Sequence, residues 1–132
     1  ASPHGVYDTA LSWAIEQGLA SPVIDTLRRA ATTRPDYDGP HIGWVLVALH
    51  SAFYQLLHAA DFRSALIDIV SSGGDTDTNA AIAAPLLAAI YGPHSIPREW
   101  SVCVRAVNEP RYTSLMLRRK DCPSPPTRDS AS

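Results

Sequence analysis

Cysteine is scarce in this 132-residue chain: only Cys103 and Cys122 occur. Two cysteines do not make the disulfide framework that staples small secreted domains. Cys122 lies in a tail rich in proline and serine. Both are expected to be free thiols in a reducing, cytoplasmic compartment. Long apolar runs are missing as well. The longest, over residues 80–90, falls short of the ~18 residues of a bilayer span and is interrupted by Pro85. The opening residues Ala1-Ser2-Pro3-His4 carry no basic segment followed by an apolar one, so no secretory signal is expected in them. The first residue is not Met, which fits a processed chain or a piece of a longer one. Charge of one sign is lacking too. A formal net charge of −2 gives neither a basic field to draw nucleic acid nor an acidic tail. Neither nucleic acid nor a membrane is therefore an expected partner. Internal repeats are absent, and so are the alternating apolar and polar runs of a half-buried strand.

What remains is a globular composition, 45% apolar, of a length that fits one domain or part of one. The periodicity is helical throughout, so the expected fold class is all-α. A first helix is expected over residues 6–17, closed by Gly18. A second starts at Ser21-Pro22, read as an N-cap followed by proline at the first helical position, and runs to about Thr32. Thr33 to Pro40 is a loop rich in Pro, Asp and Gly. A third helix, over residues 41–59, is apolar nearly all round and should be central. Asp61 can cap a fourth over residues 62–71. A fifth runs from Asp77 or Thr78 to Tyr91, and a sixth over residues 97–107. Pro85 sits well inside the fifth, where a lost backbone donor should kink the helix.

The segment Ser71-Ser72-Gly73-Gly74-Asp75-Thr76-Asp77-Thr78-Asn79 asks for a chemical explanation. Two glycines permit a tight backbone path. Two carboxylates follow, two residues apart, then a hydroxyl. In a loop leading into a helix both carboxylates can converge on one point. Without a cation they repel, and one pKa should rise. Hard oxygen donors of this kind suit magnesium, manganese or calcium rather than zinc. Helix capping by Thr76 or Asp77 explains the same residues equally well and is compatible with a metal. An EF-hand loop is excluded, because Ala80 stands where its glycine and Leu86 where its glutamate are required. A phosphate-cradling glycine loop lacks its GxxxxGK[ST] pattern.

The stretch GGDTDTNAAIAAPLLAAIYGPHSIPREW resembles the C-terminal signature of the ADP-ribosylglycohydrolase family, which includes the dinitrogenase reductase-activating glycohydrolases. The resemblance rests on Gly73 to Thr78, Ala81-Ile82-Ala83, Tyr91-Gly92, Ile96-Pro97 and Trp100. Upstream, Gly43-Trp44-Val45 looks like the family's Gly-aromatic-Val segment, and the likeness is firm from about Asp38 to Trp100. It implies the C-terminal portion of an all-α helical domain over residues 1–119, followed by a disordered tail over residues 120–132. It implies a two-metal centre holding Mg2+ or Mn2+, and hydrolysis of the bond between ADP-ribose and a protein side chain. Asp75, Asp77 and Thr78 would be metal ligands, with Asp75 and Asp77 catalytic. Trp44, Gly73 and Gly74 would line the substrate, an ADP-ribosylated protein or ADP-ribose. The family's other ligands, a Thr-Asp-Asp cluster and a glutamate, come from an N-terminal half. No Thr-Asp-Asp occurs in this chain, and Asp36, Asp38 and Glu16 do not replace it. The N-terminal half, on another chain or elsewhere in a longer one, is therefore an expected partner. A non-catalytic ADP-ribose binder or regulator is the alternative. A structural, crystallin-like use of the scaffold is a third, which the intact Asp75, Asp77 and Thr78 argue against.

Histidine gives no metal spacing. His50 and His58 stand eight apart on one helix, where a zinc pair usually stands four apart. His41, just before Trp44, can line a cleft. Trp13, Phe53 and Trp100 read as packing residues.

Overall fold

The computed structural model describes residues 2–108. Among these every regular element is helical: α1 (Pro3–Glu16), α2 (Ser21–Ala30), α3 (Val45–His58), α4 (Phe62–Ser71), α5 (Thr76–Tyr91), a short 3₁₀ turn (Pro93–Ser95) and α6 (Arg98–Asn108). The all-α expectation holds. Two compact units divide after Ser95. The proposed tail over residues 120–132 lies outside the described residues.

The first unit is built around α3, which packs on α5, α2, α1 and α4, while α5 also packs on α4. Leu56 of α3, Ile69 of α4 and Leu87 of α5 are almost wholly buried. Each contributes about 1.5–3 kcal/mol by leaving water. The buried side of α3 is more polar than its composition suggested. His50, Ser51 and Gln55 are buried beside Ala48, Ala52 and Leu56. No buried side-chain nitrogen or oxygen among the described residues lacks a partner. His50 Nε2 lies 2.8 Å from the Thr33 carbonyl oxygen, and His58 Nε2 lies 3.2 Å from that of Ala30. Both imidazoles thus tie α3 to the end of α2.

Several helix starts differ from expectation, among them those of α1, α2 and α3. Helix α1 starts at Pro3, because the Ser2 hydroxyl accepts the Gly5 N–H at 3.1 Å and Pro3 supplies a preset φ. Helix α2 includes Ser21; Ala20 is its N-cap and makes no side-chain cap. Helix α3 begins at Val45 rather than His41. Gly43 is left-handed at φ +80°, and Trp44 is extended, so residues 41–44 form a turn. Helix α4 matches its expected bounds. Asp61 accepts the Ser64 N–H at 2.7 Å, and the Ser64 hydroxyl returns to the Asp61 N–H to complete a capping box.

Helix α5 runs unbroken through Pro85. Pro85 and Ala81, four residues before it, both lie on the exposed side. The carbonyl that loses its donor therefore faces outward rather than into the core. In the second unit, Cys103 of α6 is disulfide-bonded. Among the described residues no cysteine is free, which corrects the free-thiol expectation for Cys103 and removes its support for a reducing compartment.

Candidate metal and substrate site

The loop between α4 and α5 carries the motif. Gly73 and Gly74 are both left-handed, at φ +84° and +72°. Space enforces glycine as well as angle. A Cβ on Gly74 would stand 2.3 Å from the Tyr37 carbonyl oxygen, and one on Gly73 would stand 2.9 Å from Asp38 Oδ1. The loop is thus pressed against the segment that precedes α3. Gly43, from the same segment, faces Asp75: a Cβ there would lie 3.5 Å from Asp75 Oδ2.

Asp75 is the N-cap of α5 by position, yet its side chain makes no capping hydrogen bond. Its carboxyl group instead stands beside that of Asp77. A proton shared from Asp75, followed by the Thr78 and Asp77 backbone N–H groups, holds the Asp77 carboxyl below the usual carboxylate range. A raised pKa is therefore not what Asp77 shows; donors at the helix start favour its charged form. Thr78 follows on α5 and is exposed, as is Asp77, while Asp75 is half-buried.

Two neighbouring carboxyl groups, one of them without a capping hydrogen bond, and a hydroxyl one residue on are a donor set suited to a hard divalent cation. By themselves they do not make a complete cage. No group of three His, Cys, Asp or Glu residues among the described residues is placed to hold a metal. Asp36 and Asp38 do not complete it.

Trp44 is 48% exposed at the head of α3, and its ring packs on His41 with centroids 5.0 Å apart. Both line a cleft of about 170 Å³ that Arg29, Asp36 and His50 also border. Asp75 and Asp77 do not border that cleft. Trp44 faces that cleft, while the neighbouring Gly43 approaches Asp75.

The sequence profile of one family, ADP-ribosylglycohydrolase, matches residues 2–120. The chain belongs to that family. Among curated relatives, an ADP-ribosyl glycohydrolase of Acanthamoeba polyphaga mimivirus is 41% identical over 63 residues, 48% of this chain and 19% of its own length. The ADP-ribosyl-dinitrogen reductase glycohydrolase of Rhodospirillum rubrum is 33% identical over 64 residues, 48% of this chain and 22% of its own length. The chain thus matches about a fifth of each relative's length. No solved structure gives a significant match.

One set of residues around the family motif has no linear signal. Arg34 Nη2 donates to Asp68 Oδ1 at 2.9 Å and to the Ser72 hydroxyl at 2.8 Å. Gln55 Nε2 donates to Asp68 Oδ2. The Tyr37 hydroxyl lies 2.9 Å from the Ser51 hydroxyl. These side chains come from a loop, α3 and α4, and only the fold brings them beneath Gly73 and Gly74.

Proposed function

We propose that this chain supplies one half of a binuclear metal site in an enzyme that hydrolyses the glycosidic bond between ADP-ribose and a modified protein side chain. The observation that carries this reading is the convergence of the Asp75 and Asp77 carboxyl groups at the start of α5, inside the family's own motif. Asp75, Asp77 and Thr78 would hold Mg2+ or Mn2+. Such a cation stabilises developing charge and orients an attacking water when bound. The chain's own contributions are positional. Gly73 and Gly74, lacking a Cβ that would strike Asp38 and Tyr37, let the loop pack closely and present its backbone beside the proposed ligand. Trp44 offers an exposed aromatic face for a sugar or base.

The rest of the domain, the expected N-terminal half, is the proposed partner. Helix α5 supports this. Its outward stripe, Thr78, Ala81, Ile82, Pro85 and Ala89, is exposed and carries no charge. Helices that are apolar all round are buried ones. A covering segment over that stripe would sit next to Asp77 and Thr78, where further ligands are needed.

The test is reconstitution. The chain joined to an N-terminal half should release ADP-ribose from an ADP-ribosylated protein in Mg2+ or Mn2+, and Asp75→Asn should abolish release. Full hydrolysis by the isolated 132 residues would refute the half-site reading. A non-catalytic ADP-ribose binder is the second reading, favoured by the exposed Trp44 beside its cleft. Calorimetry showing ADP-ribose binding by the complete protein, without turnover, would select it.

A further inference from the structure

We propose that Asp68 is a positioning residue for the Asp75–Asp77 pair, acting through Arg34, Gln55 and Tyr37 to hold the Gly73-Gly74 loop. The inference rests on the reading of Asp75 and Asp77 as metal ligands. Asp68 is the hub. It accepts from Gln55 of α3 through one oxygen and from Arg34 through the other. Its backbone carbonyl accepts the Ser72 hydroxyl at 2.6 Å, and Arg34 donates to that same hydroxyl. Ser72 is the residue immediately before Gly73, so the loop's first end is fixed.

The second end is held by Tyr37. Its hydroxyl lies 2.9 Å from that of Ser51, one turn before the Gln55 of α3 that donates to Asp68. With the ring so anchored, the Tyr37 carbonyl oxygen is wedged against Gly74. Hydrogen bonds that meet on one stretch of α3 therefore grip both sides of Gly73-Gly74 and set where Asp75 begins. None of these side chains reaches Asp75 or Asp77 directly, so the role is positioning rather than catalytic. Partners that orient ligands change metal affinity without touching the ion.

The 132-residue chain, labelled with nitrogen-15, tests this directly. Asp68→Asn keeps the shape but can no longer accept from both Arg34 and Gln55. The amide resonances of Gly73, Gly74 and Asp75 should move, and their hydrogen exchange should speed up about tenfold, while α1 and α2 stay unchanged. The Mn2+ concentration that half-broadens the Asp75 and Asp77 amides should rise about tenfold. Asp68→Glu should recover part of both effects. Arg34→Gln, at a half-exposed partner, releases Ser72 and should give the same local pattern if Asp68→Asn does not fold. Unchanged loop resonances and exchange in a folded variant would overturn the proposal. So would exchange that speeds up equally throughout the chain, the mark of a purely structural role. Loop changes in the variant combined with no Mn2+ broadening in the wild-type chain joined to its N-terminal half would leave the positioning intact and overturn the metal reading instead.

Discussion

Gly74→Ala is the sharpest perturbation the structure offers. Two costs add. The left-handed backbone, at φ +72°, costs a residue with a Cβ about 1–2 kcal/mol. The new methyl would stand 2.3 Å from the Tyr37 carbonyl oxygen. That obstacle is backbone, and the hydroxyl of the buried Tyr37 ring behind it is hydrogen-bonded with Ser51. Relief requires moving the loop or the segment before α3, at about 1–3 kcal/mol. The expected loss is therefore about 2–5 kcal/mol, a large share of the 5–15 kcal/mol typical of a domain. Gly18→Ala is the control. Gly18 is also left-handed, at φ +63°, but a Cβ there meets nothing within 4 Å. Restricting the unfolded chain benefits both variants equally and cancels between them. Urea denaturation should place Gly74→Ala below Gly18→Ala by about 1–3 kcal/mol at equal slope. If the two variants agree within about 0.5 kcal/mol, the Tyr37 carbonyl does not confine the loop and the contact argument fails.

Three further outcomes are expected. Burial pushes the His50 imidazole below its ordinary 6.5, so the folded chain resists a proton that the unfolded chain takes up. Stability is complete above that value and declines as pH falls below it, and His50→Gln should flatten the slope of the urea midpoint between about pH 7 and 5; an unchanged slope would assign the acid sensitivity elsewhere. Leu87→Ala empties a fully buried position between α3 and α5 and should cost about 2–5 kcal/mol by the same denaturation assay. Asp61→Ala removes the capping box of α4 and should lower the melting temperature while speeding amide exchange first in its opening turn; protection as in the wild type there would contradict the capping assignment.

Local chemistry was legible in the sequence wherever its partners were near in the chain. Asp61 and Ser64 cap α4 three residues apart, and the bounds of α4 follow from them. Ser2-Pro3 carries the same kind of start signal as Ser21-Pro22, yet the apolar pattern taken from Val6 onward hid it. Helix α3 starts one turn later than composition predicts: residues 41–44 look helical, while left-handed Gly43 and extended Trp44 decide otherwise. In the site, the glycine pair and two carboxylates could be read directly, since neighbours in sequence are neighbours in space there. The Arg34–Asp68 pair spans 34 residues and the Gln55–Asp68 bond 13, so neither follows from any periodicity. Cys103 misled for a related reason: a count of two cysteines does not say whether they pair.

The wedge of Tyr37 against Gly74 also bears on where ordering entropy is lost. A flexible ligand loop must be frozen when its ion arrives, and fixing each residue's backbone costs about 1–2 kcal/mol. Here the left-handed glycines and the carbonyl behind them freeze residues 73 and 74 during folding. At the proposed site a cation would meet the carboxylates with that cost already met, leaving binding free energy to act on the ligand itself.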